Sequence, residues 1–315
     1  RQGPQRRAPR LEGLSGTTML DLADPDAVID ALMRGAEANR DAACRNGSID
    51  EIRPPGRLIA TGDLHDNPMH LQTLIERAGL TPEHESADRK HLTLHEIIHS
   101  DRLMNGMDFS YRVMAKVAHL KSEYPDHVHT LLANHELAQM LKSPVLKDGI
   151  KCVEAFELGL DYAFGGEAPR VEAAIDDFVR SMPLALRCHC ANPAGGGFDA
   201  LCSHSLPNPA MMQRFDPGVL SRDLTDDDYT PRQGSAHLMV WGRGYDAELL
   251  EDLVERWGVN WFILGHEHAE FGSAFVPPNA VILNSDHEFG VCLPLDLAAM
   301  PGPEAAMGMV ERLSG

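Results

Sequence analysis

Apolar and polar positions follow two different periods along this chain. Near the start, Val28, Ile29, Leu32, Met33 and Ala36 recur at helical spacing and form one apolar face. Asp24 and Pro25 precede them as cap and first helical residue, and Gly47 lies beyond the end, so a capped helix packed on the outside of the main domain is expected. From residue 57 another pattern repeats: a short apolar run ends in a polar cluster, and a helix or long loop follows. "RLIATGDLHDN" leads into "PMHLQTLIERAGL", "HLTLHEIIHS" into "FSYRVMAKVAHLKSEYP", and "VHTLLANHE" into "LAQMLKS". "FDALCSHSLP", "AHLMVWGRG", "NWFILGHEHA" and "AVILNSDHEFGVCLPLDL" carry the same signature as strands later on. Strands alternating with helices predict an α/β architecture. Residues 141–182 read as a mostly helical insertion and "EIRPPGR" as a linker. "LALRCHCANPAGGGFDALCSH" reads as a hairpin that turns at its Gly-rich run.

Composition narrows the possibilities. With 43% hydrophobic and 24% charged residues the chain has the make-up of an ordinary globule, and no apolar run approaches membrane-spanning length. A net charge of −19 argues against a nucleic-acid partner, because phosphate backbones require clustered Lys and Arg. The basic, Pro/Gly-rich start is expected to be a disordered tail. Six cysteines show no zinc-ribbon spacing. The one cluster, Cys188-His189-Cys190, alternates as a strand does, and a reducing cytoplasmic setting is the simplest expectation.

The polar clusters share a chemistry. Open α/β sheets bind ligands beyond the carboxyl ends of their strands. Gathered at those ends are Asp63 and His65, Glu96, Asn134 and His135, His204, and His266 with His268. All are metal-ligating or proton-transferring types. Two divalent ions about 3.5–4 Å apart need a carboxylate between them and imidazole, carboxylate and amide ligands outside. Such a pair lowers the pKa of a water it holds towards roughly 7 and neutralises charge on a phosphoryl group under in-line attack. An imidazole beside it suits protonation of the leaving alkoxide.

"GDLHDN", "LLANHE", "CSHSLP" and "LGHEH" resemble, in order, the metal-binding blocks of the calcineurin-like metallophosphoesterases. "AHLKSEYPDHVHTLLANHE" and "RSMPLALRC" bring the chain nearest to the serine/threonine phosphoprotein phosphatases within that superfamily. The resemblance spans roughly residues 57 to 295. It implies a two-sheet β core flanked by helices, with residues 56–315 as the catalytic domain and residues 1–55 as tail plus helical extension. It implies Asp63, His65 and His268 around a first metal, Asn134, His204 and His266 around a second, and Glu96 bridging them. His135 would serve as general acid or transition-state stabiliser, and Arg243 would bind phosphate. Arg102, with Asp101, would stand for the family's Asp-Arg pair, two residues late. Ligands without thiolate favour Mn²⁺, Fe or Zn²⁺. The implied substrate is a phosphorylated protein or small phosphoester.

Departures bear on substrate handling. Glu96 replaces an aspartate, Asp66 and Ala133 replace glycines, and "SHSLP" replaces a His-Gly-Gly block, so those turns must tolerate Cβ atoms. Tyr245, Asp246, Asp286 and His287 lie near motif ends, where sequence does not decide whether they line the cleft. Two other readings stay open: a nucleotide-directed phosphoesterase of the dinucleoside polyphosphate hydrolase type, and a pseudophosphatase scaffold that holds metal for a protein partner.

Overall fold

Period-two alternation buries both faces of the central strands. In strand β3 (Arg57–Thr61), Leu58 and Ala60 face one core while Ile59 faces another. In β10 (Trp261–Leu264), Trp261 and Ile263 point one way and Phe262 and Leu264 the other. A strand buried on both faces must lie between two layers. A computed structural model, which describes residues 20–190 and 198–314, shows those layers.

The larger sheet has seven strands in the order β1 (Arg45–Asn46), β2 (Ile49–Ile52), β8 (Ala185–Cys188), β9 (Ala200–Ser203), β10, β12 (Ala280–Leu283) and β11 (Ser273–Val276). The other runs β14 (Glu311–Arg312), β13 (Val291–Asp296), β3, β4 (His91–Leu94) and β5 (Val128–Thr130). Strands β6 (Leu146–Lys147) and β7 (Ile150–Lys151) form a separate hairpin. Between the two large sheets, Leu58, Ala60, Leu293 and Leu295 of one meet Leu186, Cys202, Ile263 and Val281 of the other.

Helices cover the outer faces. These are α1 (Pro25–Asp41), α2 (Pro68–Ala78), α3 (Tyr111–Glu123), α4 (Asn134–Met140), α5 (Cys152–Phe164), α6 (Ala168–Ser181), α7 (Ser235–Val240), α8 (Ala247–Trp257) and the short α9 (Pro303–Ala306). The Asp24 side chain caps α1 by accepting from the Asp26 N–H, with Pro25 at the first position, and α1 packs on α3 and α6. Asn67 caps α2 in the same way, and Gly79 ends it in the left-handed region. The result is the two-sheet, helix-flanked α/β fold that the motifs imply.

Two local expectations change. "AHLMVWGRG" is the helix α7, because a short, fully buried apolar run has no periodicity to separate strand from helix. The expected linker at Glu51-Ile52 is part of β2, which runs parallel to β8 and extends the larger sheet. The β8–β9 hairpin forms as expected, while its Gly-rich turn and the N-terminal tail lie outside the described residues. Among the described residues no helix is long and apolar enough to cross a membrane.

Candidate metal centre

Strands β3 and β4 run parallel, so both of their carboxyl ends open at one rim, where their loops are bonded together. The Leu64 and His65 N–H groups donate to the Glu96 carbonyl, and the Asp66 N–H to the Ile97 carbonyl. Glu136, on the first turn of α4, accepts the Ile97 and Ile98 N–H groups at 2.6 and 3.2 Å. The turns are tight. His65, Asp66, Glu96, His99 and His266 all take left-handed φ values between 41° and 66°. Non-glycine residues persist there only where the surroundings over-determine them, and such residues cluster at functional sites. Ala133, by contrast, has an extended φ of −124°, so alanine fits without strain.

One side chain leaves almost no room behind it. A Cβ on Gly265 would stand 2.3 Å from Asp63 Oδ1 and 2.5 Å from His95 Cε1. Asp63 is wedged between neighbours, and its carboxylate accepts the His266 N–H at 2.9 and 3.1 Å. The close approach that only glycine permits sets where the carboxylate points.

Hydrogen bonds behind the imidazoles fix which nitrogen carries a lone pair. A carbonyl can only accept, so His65 donates from Nδ1 to the Ile98 carbonyl at 3.1 Å and turns a bare Nε2 forward. His95 donates from Nε2 to the Thr61 carbonyl at 2.9 Å. Its bare Nδ1 then accepts from His204 Nδ1 at 3.1 Å, which leaves His204 Nε2 bare as well. That nitrogen lies 2.7 Å from Asn134 Oδ1, 3.0 Å from His266 Nδ1 and 3.3 Å from Glu96 Oε2. The other Glu96 oxygen lies 3.4 Å from His65 Nε2 and 3.6 Å from His135 Nε2. Lone pairs of imidazole, amide and carboxyl groups thus crowd together from four directions, an arrangement that a cation relieves.

Electrostatics point the same way. Burial, and then the Asp63 and Glu136 carboxylates, hold Glu96 well above the usual carboxylate range. Burial lifts Glu136 to about 7. Burial, with His204 next, pushes His95 down to about 4, and burial also leads the causes that hold His135 and His266 well below the imidazole range. These acids and imidazoles lack positive charge among them. The donor set therefore fits divalent cations, with Glu96 turning one oxygen to each side.

Most of the residues singled out from sequence meet here: buried Asp63, His65, Glu96, Asn134, His135 and His266 line one cavity of about 330 Å³, with buried His204 2.7 Å from Asn134 and 3.0 Å from His266. Arg243 lines the same cavity and donates to the His266 carbonyl at 2.7 Å. Two expectations need correcting, those for Arg102 and Asp101. His268 lines the cavity too, exposed at its rim with its ring 6.1 Å from His287, where the chain leaves β10 in a left-handed turn at His266. Arg102 is exposed outside the cavity and donates to the His65 and Asp66 carbonyls, so it braces that loop from behind. Asp101 is exposed too, 3.8 Å from Arg102. Among the described residues the Cys188-His189-Cys190 cluster forms no metal site, since His189 is held by Glu51 and Asp199.

Sequence reasoning missed His95, Glu136, Lys147 and the place of His99 beside His135. His99 Nδ1 lies 2.8 Å from His135 Nδ1, while its Nε2 bonds the Gln139 side-chain oxygen at 3.0 Å. His95 and Glu136 adjoin recognised residues, and that adjacency was their only signal. Of the four residues near motif ends, Asp286 lines the cavity.

A family model described as calcineurin-like phosphoesterase matches residues 56–270. No curated protein matches the chain. Among solved structures, a protein serine/threonine phosphatase from Saccharomyces cerevisiae with similarity to human phosphatase PP5 superposes with a TM-score of 0.64 at 16% identity, over 93% of this chain and 90% of that one. The cold-active protein-tyrosine phosphatase of a psychrophile, Shewanella sp., gives 0.57 at 14% identity, over 88% and 84%. At these identities the likeness speaks for the fold alone. With the family match covering most of the chain and the ligand set assembled at the strand ends, the chain belongs to the calcineurin-like phosphoesterases and is a metal-dependent phosphoester hydrolase.

Proposed function

We propose that this chain hydrolyses phosphomonoesters at a binuclear metal centre, with phosphorylated proteins as its substrate class. The observation that carries the reading is the convergence of His204 Nε2, His266 Nδ1, Asn134 Oδ1 and Glu96 Oε2, with His65 Nε2 on the far Glu96 oxygen. In this reading Asn134, His204 and His266 hold one ion, Asp63 and His65 the other, and Glu96 both. His268, at the rim, is the least supported ligand. The donors are those that suit Mn²⁺, Fe or Zn²⁺. When bound, such ions supply a nucleophilic water at neutral pH and neutralise charge on the phosphoryl oxygens.

The rest falls to this chain's side chains. Arg243 faces the cavity and orients the phosphoryl group. His135, whose Nδ1 is held from behind by His99, has a bare Nε2 in its neutral form, so it must take up a proton there before it can pass one to the departing oxygen. Among the described residues, Trp241 is the one Phe, Tyr or Trp side chain that lines the cavity, which leaves a nucleobase without a pair of stacking faces and favours a protein phosphoester over a dinucleotide. All six cysteines are free, in keeping with a reducing, cytoplasmic setting.

The test is turnover of p-nitrophenyl phosphate with added Mn²⁺ by the parent, His135→Ala and Asp63→Asn, followed by comparison of phosphoserine, phosphothreonine and phosphotyrosine peptides with dinucleoside polyphosphates. Activity in the parent that both substitutions abolish supports the reading. A parent that binds two ions and turns over no ester supports the scaffold instead.

A further inference from the structure

Part of the cavity wall is built by a segment that carries none of the motifs. Strands β6 and β7 form a hairpin with Leu146 opposite Lys151 and Lys147 opposite Ile150. Asp148 and Gly149 turn it with φ values of 50° and 83°, the doubly left-handed turn that matches the twist of a two-residue hairpin. This hairpin places Val145, Leu146 and Lys147 on the cavity that Asp63, Glu96 and His135 line. Lys147 is half-buried, and among the described residues no carboxylate lies within 4 Å of it.

Among the described residues the other Lys or Arg side chain on the cavity is Arg243, beside His266. Arg102, the second arginine that the motifs suggest, is tied to backbone carbonyls elsewhere.

We propose that Lys147 is a substrate-binding residue that grips the phosphoryl group together with Arg243 and so selects dianionic phosphomonoesters over phosphodiesters. This rests on the phosphoesterase reading above and adds a contact to it. A monoester dianion offers three terminal oxygens, enough to meet both metal ions and two cationic side chains. A diester is a monoanion with two free oxygens, and one of those contacts goes unmet. An ammonium on a flexible stem suits this as a point charge, while the planar Arg243 sets orientation.

The test uses the full chain loaded with Mn²⁺, in parent, Lys147→Met and Lys147→Arg forms, each checked for equal metal content. Calorimetry measures binding of inorganic phosphate and of dimethyl phosphate. Loss of one charge-assisted contact is expected to weaken phosphate binding in Lys147→Met by about 10-fold or more. Dimethyl phosphate binding is expected to change by less than about 3-fold, and Lys147→Arg to recover most of the phosphate affinity. Steady-state assays should show the same loss in KM for p-nitrophenyl phosphate, with kcat nearly unchanged. Phosphate affinity untouched by Lys147→Met, or an equal loss for both ligands, overturns the proposal. Should the parent bind phosphate and hydrolyse no ester, the function proposed above fails, and the binding comparison still decides the role of Lys147.

Discussion

His95 and His204 stand nitrogen to nitrogen, Nδ1 to Nδ1 at 3.1 Å, and the Thr61 carbonyl behind His95 decides which of them holds the proton. His204 is thereby left with a bare Nε2 facing Asn134, His266 and Glu96. A partner that fixes the tautomer of a metal-facing histidine typically matters 10- to 100-fold in affinity. The relay has a simple mimic. In His95→Gln the side-chain oxygen accepts from His204 and the amide donates to Thr61, whereas His95→Leu does neither. Titration with Mn²⁺ is expected to show affinity within about 3-fold of the parent for His95→Gln and roughly 10- to 100-fold weaker for His95→Leu. Equal losses in the two variants contradict the relay.

His99 does for His135 what His95 does for His204. Burial drives His99 down to about 4, so it stays neutral and accepts through Nδ1. If His135 protonates the leaving oxygen, the need for it grows as the leaving group becomes a stronger base. His99→Leu should lower kcat by roughly 10- to 100-fold with phenyl phosphate and by less than about 5-fold with p-nitrophenyl phosphate. The same loss for both esters would leave His99 with a packing role only.

Space behind Asp63 is the next point of failure. Gly265→Ala puts a methyl group 2.3 Å from Asp63 Oδ1, closer than any side chain tolerates, so the carboxylate and His95 must move. The expected cost is about 1–3 kcal/mol of stability, as for other overpacked interiors, together with loss of metal. Thermal melting and metal analysis on the same sample check this. Full metal content in a stable Gly265→Ala protein would show that Asp63 is not confined.

Away from the site, His91 sets a pH dependence. Its Nδ1 lies 3.1 Å from His129 Nε2, and burial, then His129 and His127, push it down to about 3 from an ordinary 6.5. The unfolded chain takes up this proton near pH 6.5 and the folded chain only far below, so the unfolded state binds more protons in between. Stability that is fully present above pH 6.5 is therefore lost as the pH falls through that window. His91→Asn is expected to reduce the pH slope of unfolding free energy between pH 6 and 4 by about one proton. Denaturant unfolding at several pH values measures it, and parallel slopes would rule His91 out.

Elements and ligands differed in how legible they were. Strands such as Leu58–Ala60 and Trp261–Leu264 announce themselves because each ends in a polar cluster, and the cluster itself marks the site. Helix α7 did not, since six mostly buried residues carry no period. Arg102 was misplaced because sequence spacing cannot show that the loop from residue 96 to 102 turns at His99, sending the guanidinium behind Asp66. His95 and Lys147 were missed for a related reason. One acts through a neighbour's tautomer and the other reaches the cavity from a separate hairpin, and both relations exist only in three dimensions.

The most direct measurement is electron paramagnetic resonance, with metal analysis, on Mn²⁺-loaded protein and on Glu96→Gln. Two carboxylate-bridged ions in the parent should give two manganese per chain and a spin-coupled multiline spectrum, with the coupling lost in Glu96→Gln. One ion per chain, or two that show no coupling in the parent, would contradict a centre shared across Glu96.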